Sequence, residues 1–159
     1  MAAQSQQGRV EAIWIKRTKR GPMDAVGCAE LVAGKGLLGN ANWGGRRQVS
    51  LLDADLWERV VADLGGALDP VARRANILLR GIDLANSRKR VLHVGDCRVR
   101  IWCETKPCER MDEALPGLKA ALYPHWGGGA SGQVIAGGIL PVGAVAYWED
   151  SDCSKPRDP

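Results

Sequence analysis

The chain has 159 residues, of which 45% are hydrophobic and 25% charged, a balance that suits one soluble domain with a real core rather than two. Its formal charge of +4 would suit an anionic small ligand, but it falls short of the clustered charge of a dedicated nucleic-acid binder. No apolar run approaches the ~20 residues a membrane span needs, and residues 1–8 are too short and polar for a signal peptide, so no membrane partner is expected.

Residues 10–15 (V-E-A-I-W-I) are β-branched and aromatic and predict a first strand. Residues 18–46 are rich in glycine, lack periodicity, and read as a long connection of the kind that is usually functional or disordered. A strand is predicted over 48–52. Asp53 then caps a helix whose Leu56, Trp57, Val60, Val61 and Leu64 share one stripe, and Gly65-Gly66 ends it. Strands follow at 76–79 and 91–94. Over 97–104, Cys97, Val99, Ile101 and Cys103 alternate with Arg98, Arg100, Trp102 and Glu104, which predicts a strand with one buried face and two core cysteines. Met111, Leu115, Leu118 and Leu122 have helical spacing that Pro116-Gly117 interrupts, so Pro116 would open a second short helix. Two more strands are predicted at 133–136 and 144–148. About seven strands with two or three short helices point to a mainly β fold, a closed barrel with its helices outside, because closure removes exposed edges. One domain over 8–149 is expected, followed by a flexible polar tail over 150–159.

The chemistry concentrates at Cys108. It follows Pro107, lies between Lys106 and Arg110, and falls where a strand gives way to a helix. Cations and a helix start both favour the thiolate, which is the form that attacks electrophiles and binds metals. The fixed φ of Pro107 stiffens the approach. Two arginine doublets, Arg46-Arg47 and Arg73-Arg74, flank the first helix. One member of each can point inward and grip a phosphate bidentately while the other stays in solvent. Asn76 would either read a ligand or close a local turn.

Other motifs fail on context. The G-x-G-x-x-G at 34–39 is followed by more glycines instead of a helix N-terminus, so it cannot cradle a pyrophosphate as a dinucleotide fold does. There is no P-loop and no serine nucleophile elbow. The five cysteines (28, 97, 103, 108 and 153) and two histidines offer no four-ligand zinc spacing. An odd, irregular cysteine set fits reduced thiols and a cytoplasmic location. Arg98, Arg100 and Trp102 on one strand face are the best nucleic-acid feature available.

Several segments together resemble one family. Gly39-Asn40-Ala41-Asn42-Trp43-Gly44-Gly45 leads into Arg47-Gln48-Val49-Ser50-Leu51. Arg74-Ala75-Asn76-Ile77 precedes Gly81-Ile82-Asp83-Leu84. Val94-Gly95-Asp96, Pro107-Cys108, Gly137-Gly138-Ile139 and Val142-Gly143 come after them in order. Across residues 8–149 this resembles the MOSC family, named for the C-terminal domain of molybdenum cofactor sulfurases. The resemblance implies a MOSC, pyruvate-kinase-barrel-like β-barrel that binds molybdenum cofactor or carries sulfur for it. It implies that Cys108 is the catalytic residue, in one of two roles. Either it carries a persulfide received from a cysteine desulfurase, or it ligates molybdenum in a pterin cofactor, as in relatives that reduce N-hydroxylated compounds with an electron-transfer protein. It implies cofactor-binding roles for Arg47, Arg74 and Asn76. The family commonly has an aspartate and a histidine where this chain has Asn40 and Asn42, which would weaken cofactor binding. Nothing supports a pyridoxal phosphate site. The alternative from another class is a non-catalytic basic β-barrel module that binds single-stranded nucleic acid.

Overall fold

The computed structural model describes residues 7–149, so the tail expected over 150–159 lies outside the described residues. In chain order the first elements are β1 (Gln7–Lys16), β2 (Met23–Val26), β3 (Cys28–Val32), β4 (Gly36–Leu37), β5 (Val49–Asp53) and α1 (Ala54–Asp63). Then come β6 (Ile77–Arg80), β7 (Val91–Val94), β8 (Cys97–Glu104), α2 (Glu109–Ala114) and α3 (Leu118–Leu122). The last strands are β9 (Ala130–Ala136), β10 (Gly138–Pro141) and β11 (Val145–Trp148).

Seven strands close on themselves. Starting from β1 the order runs β11, β7, β8, β9, β5 and β6, which returns to β1. All these pairs are antiparallel except β5–β6, which is parallel because α1 crosses over between them. The expected mainly β barrel with short outer helices is therefore the fold.

The apolar runs explain its layering. Successive strand residues point to opposite faces, and here both faces are covered. Ile13 and Ile15, Leu51, and Ile77 and Leu79 fill the barrel. Their neighbours Trp14, Leu52 and Leu78 face outward and form a second core with Trp57 and Val61 of α1, Met111 of α2, and Leu118 and Leu122 of α3. The Asp53 carboxylate accepts the Leu56 N–H at 3.1 Å and starts α1 as expected.

Two expectations change. Residues 18–46 are not one aperiodic connection, because they contain β2, β3 and β4. β3 and β4 join β10 in a small second sheet that places Ala29, Leu31, Leu37 and Leu140 in the barrel core. Only Ala29 and Leu31 alternate inward on β3, too short and weak a signal to read as a strand. In β8 the strict alternation fails, since the pairing with β9 slips between Ile101 and Cys103. Cys97, Val99 and Ile101 are buried, but Cys103 leaves the core and is half-buried. A bulge inserts a residue into one strand and so re-aims the side chains beyond it.

Candidate anion-binding cleft

The segment between β8 and α2 forms a strap tied to the glycines that precede β9. Arg73 holds it there. Its Nε donates to the Gly128 carbonyl at 2.9 Å, and its Nη2 donates to the carbonyls of Thr105 and Lys106 at 3.0 and 3.2 Å. The Thr105 hydroxyl donates to the same Gly128 carbonyl at 2.8 Å. Position 128 must be glycine, because a Cβ there would collide with the Thr105 carbonyl oxygen.

Beside the strap lies a cavity of about 150 Å³ lined by Lys16, Asn42, Arg47, Val49, Ser50, Arg74, Asn76, Thr105 and Ser131. A wider, more open lobe of about 640 Å³ shares Arg47 and Thr105 with it and adds Arg73, Arg88, Cys103, Glu104 and Lys106. The two lobes adjoin at Arg47 and Thr105, and among the described residues they are lined together by six cations and the single carboxylate of Glu104. Burial, together with the charges of Arg74 and Lys19, pushes the Lys16 ammonium below its usual range. Burial likewise lowers Arg73, partly offset by the neighbouring Cys108 sulfur. Crowded, depressed cations are what a bound anion would relieve.

The structure brings Arg47, Arg74 and Asn76 together in the inner lobe, but gives them different tasks. Arg47 is exposed and forms no hydrogen bond or ion pair among the described residues. Arg74 sits at φ +64 after a short 3-10 turn over Pro70–Arg73, and its Nη2 donates to the Gly21 carbonyl at 2.7 Å. This left-handed backbone is uncommon for a side chain and turns Arg74 away from the direction of Arg73. Asn76 is 4% exposed and its amide is saturated. Its Oδ1 accepts from the Ser50 N–H at 3.0 Å and the Ser50 hydroxyl at 3.2 Å. Its Nδ2 donates to the Trp14 carbonyl and to Asn40 Oδ1, both at 3.1 Å. Asn40 Oδ1 also takes the Lys16 N–H at 2.9 Å, so the asparagine at this position ties the glycine-rich loop to β1. Asn42 lines the inner lobe.

Cys108 is exposed at the N-cap of α2 and lines neither lobe. Lys106, two residues before it, lines the outer lobe, and the Cys108 sulfur acts electrostatically on Arg73. Among the described residues the thiol that lines the cleft is Cys103, whose sulfur is 3.4 Å from the Ser131 hydroxyl. Cys103, Lys16, Ser50, Arg88, Thr105 and Ser131 were not expected at a site. A two-residue hydroxyl and thiol pattern carries no spacing signal when a bulge and a barrel closure bring it together.

On the face read as a single-strand feature, Arg98 and Trp102 are engaged within the protein while Arg100 stays exposed. Arg98 is paired with Glu149 at 2.8 Å. The Trp102 indole N–H donates to Gln133, and Arg46 stacks over its ring at 4.9 Å. A separate depression of about 400 Å³ on α1 carries Asp53, Asp55 and Asp83, but Asp55 is committed to Arg80 and the Gly81 N–H. Among the described residues no group of three or more histidine, cysteine or acidic side chains could hold a metal ion. No helix there is long and apolar enough to cross a membrane.

No protein-family model matches the chain, and no curated protein matches it. Solved structures do. The YuaD protein of Bacillus subtilis superimposes with a TM-score of 0.74 at 18% identity, covering 93% of this chain and 99% of that one. YiiM of Geobacillus stearothermophilus gives 0.70 at 13% identity, covering 92% and 77%. YiiM of Escherichia coli gives 0.66 at 14% identity, covering 90% and 70%. At such identities the likeness establishes the fold alone, a mainly β barrel of the same architecture.

Proposed function

We propose that the protein is a MOSC-type barrel whose cleft binds the phosphate-bearing pterin of molybdenum cofactor, and whose Cys108 carries sulfur at the cleft's rim. The observation that supports this reading most is the six-cation cleft with one carboxylate, built against a motif order that resembles the MOSC family. The residues fit the anionic part of such a group. Lys16, Arg47 and Arg74 would hold a phosphate in the inner lobe, with Ser50, Thr105 and Ser131 as neutral partners. The outer lobe has the volume a drug-sized ligand needs. When bound, the cofactor would supply the redox-active metal, which these side chains do not assemble alone.

The exposure of Cys108 favours the carrier role over metal ligation. A carrier must be approached by a donor and then by an acceptor. The Cys108 thiolate would attack the terminal sulfur of a cysteine desulfurase persulfide. The donor would leave as a thiolate, and Cys108 would keep the sulfane sulfur. Reduction of N-hydroxylated compounds would require an additional electron-transfer partner and a thiolate directed into the cleft. A reducing, cytoplasmic setting suits the free thiols of this scheme.

The test is protein purified from a host that makes molybdenum cofactor, assayed for molybdenum, for fluorescent oxidised pterin and for cyanide-labile sulfur. Pterin should co-purify with the wild type, and labile sulfur should be lost in Cys108→Ser while pterin is retained. Wild-type protein carrying neither pterin nor labile sulfur would overturn the reading.

A further inference from the structure

We propose that Cys103, rather than Cys108, is the thiol that faces whatever anion the cleft holds. The ligand class is then a phosphate-bearing molecule with a thiophilic centre beyond its phosphate.

The argument starts from the broken register of β8. Without the slip between Ile101 and Cys103, the sulfur would continue the inward row of Cys97, Val99 and Ile101. With it, Cys103 leaves the core and lines the outer lobe beside Arg47, Arg73, Arg88 and Lys106. Its contact with Ser131 fixes its place in the cleft. Ser131 is 2% exposed and lines the inner lobe, so the sulfur stands where the two lobes adjoin. A ligand anchored by phosphate among Lys16, Arg47 and Arg74 would extend into the outer lobe past this thiol. Sulfur is a soft, polarisable donor, so the atom it meets there should be a soft metal or a sulfur centre. The other three described cysteines lack this setting. Cys97 is buried in the core, with its thiol pushed up by that burial and by Asp96. Cys28 and Cys108 are exposed and line neither lobe.

This inference rests on the cleft binding an anion, and not on the pterin. Its test therefore uses small alkylating reagents on the full chain. The Cys103 thiolate displaces iodide from either neutral iodoacetamide or anionic iodoacetate, and the thioethers are mapped and quantified by mass spectrometry. A cation-lined cleft concentrates anions. The iodoacetate-to-iodoacetamide rate ratio at Cys103 should therefore exceed that at Cys28 on the order of 10-fold. It should fall towards the Cys28 value in 1 M salt, where the screening length shrinks to about 3 Å, and also in Arg47→Ala. Inorganic pyrophosphate should slow labelling of Cys103 and leave Cys28 unaffected.

Equal ratios at the two cysteines, no labelling of native Cys103, or a pyrophosphate effect confined to Cys108 would each overturn the assignment. Selectivity at Cys103 in wild-type protein that carries neither pterin nor labile sulfur after production in a host able to make the cofactor would remove the cofactor reading and leave the thiol site standing.

Discussion

Asn76→Ala should destabilise the protein before it affects any ligand. The Asn76 amide ties together three segments: Ser50 on β5, the Trp14 carbonyl on β1, and Asn40 in the glycine-rich loop. Truncation leaves the Ser50 N–H without the acceptor it has in the structure, and the Trp14 carbonyl without its side-chain donor. Asn40 Oδ1 retains the Lys16 N–H and suffers less. A buried polar group left unpaired costs about 1–3 kcal/mol, so the variant should lose about 2–4 kcal/mol. That is a large part of the ~5–15 kcal/mol available to a domain. Urea unfolding followed by tryptophan fluorescence measures it, with the slope unchanged if the denatured state is the same. A loss below about 1 kcal/mol together with lost pterin or phosphate binding would refute the clamp and make Asn76 a ligand contact instead.

Arg74→Ala should lower both stability and anion affinity, because it removes the bond to the Gly21 carbonyl and leaves an alanine at φ +64. Arg74→Gly should recover about 1 kcal/mol of the stability in urea without restoring affinity. The Arg80 cluster predicts an acid limb. Hydrogen bonds from Arg80 hold the Glu11 and Glu58 carboxyls below their ordinary value of 4.5. Burial would raise Asp55, but the Gly81 N–H and Arg80 outweigh it. Depressed carboxyls contribute stability that is present above their unfolded pKa values and lost as pH falls through the folded ones. Thermal unfolding of the wild type should therefore weaken below about pH 4.5, and Arg80→Met should flatten that limb. An unchanged limb in the variant would place the acid sensitivity elsewhere.

The barrel was legible because its strands are buried on both sides. Runs such as Ile77-Leu78-Leu79 can be filled by a lumen on one face and helices on the other, and the Asp53 cap marked where the crossover begins. β3 was not legible, because Ala29 and Leu31 are the only alternating pair in a five-residue strand and its partners arrive from residue 36 and from residue 138. Cys103 was misplaced for a different reason. Periodicity assumes an unbroken ladder, and the slip at Ile101/Cys103 depends on how β8 meets β9.

The polar residues of the cleft show where sequence reading stops. Arg47, Arg73, Arg74 and Asn76 are equally plausible ligand contacts by residue type, yet they differ in how much of their bonding capacity the fold consumes. Asn76 spends its amide on partners 26, 36 and 62 residues away. Arg73 spends two donor contacts on the strap and one on the Gly128 carbonyl, and Arg74 spends one on the Gly21 carbonyl. Arg47 spends none among the described residues, although it borders both lobes. An unspent guanidinium costs little while water can solvate it, and it can give its full bidentate pair to an incoming anion. Binding energy at this cleft should therefore fall most heavily on Arg47, with Arg73 and Asn76 shaping the space in which it acts.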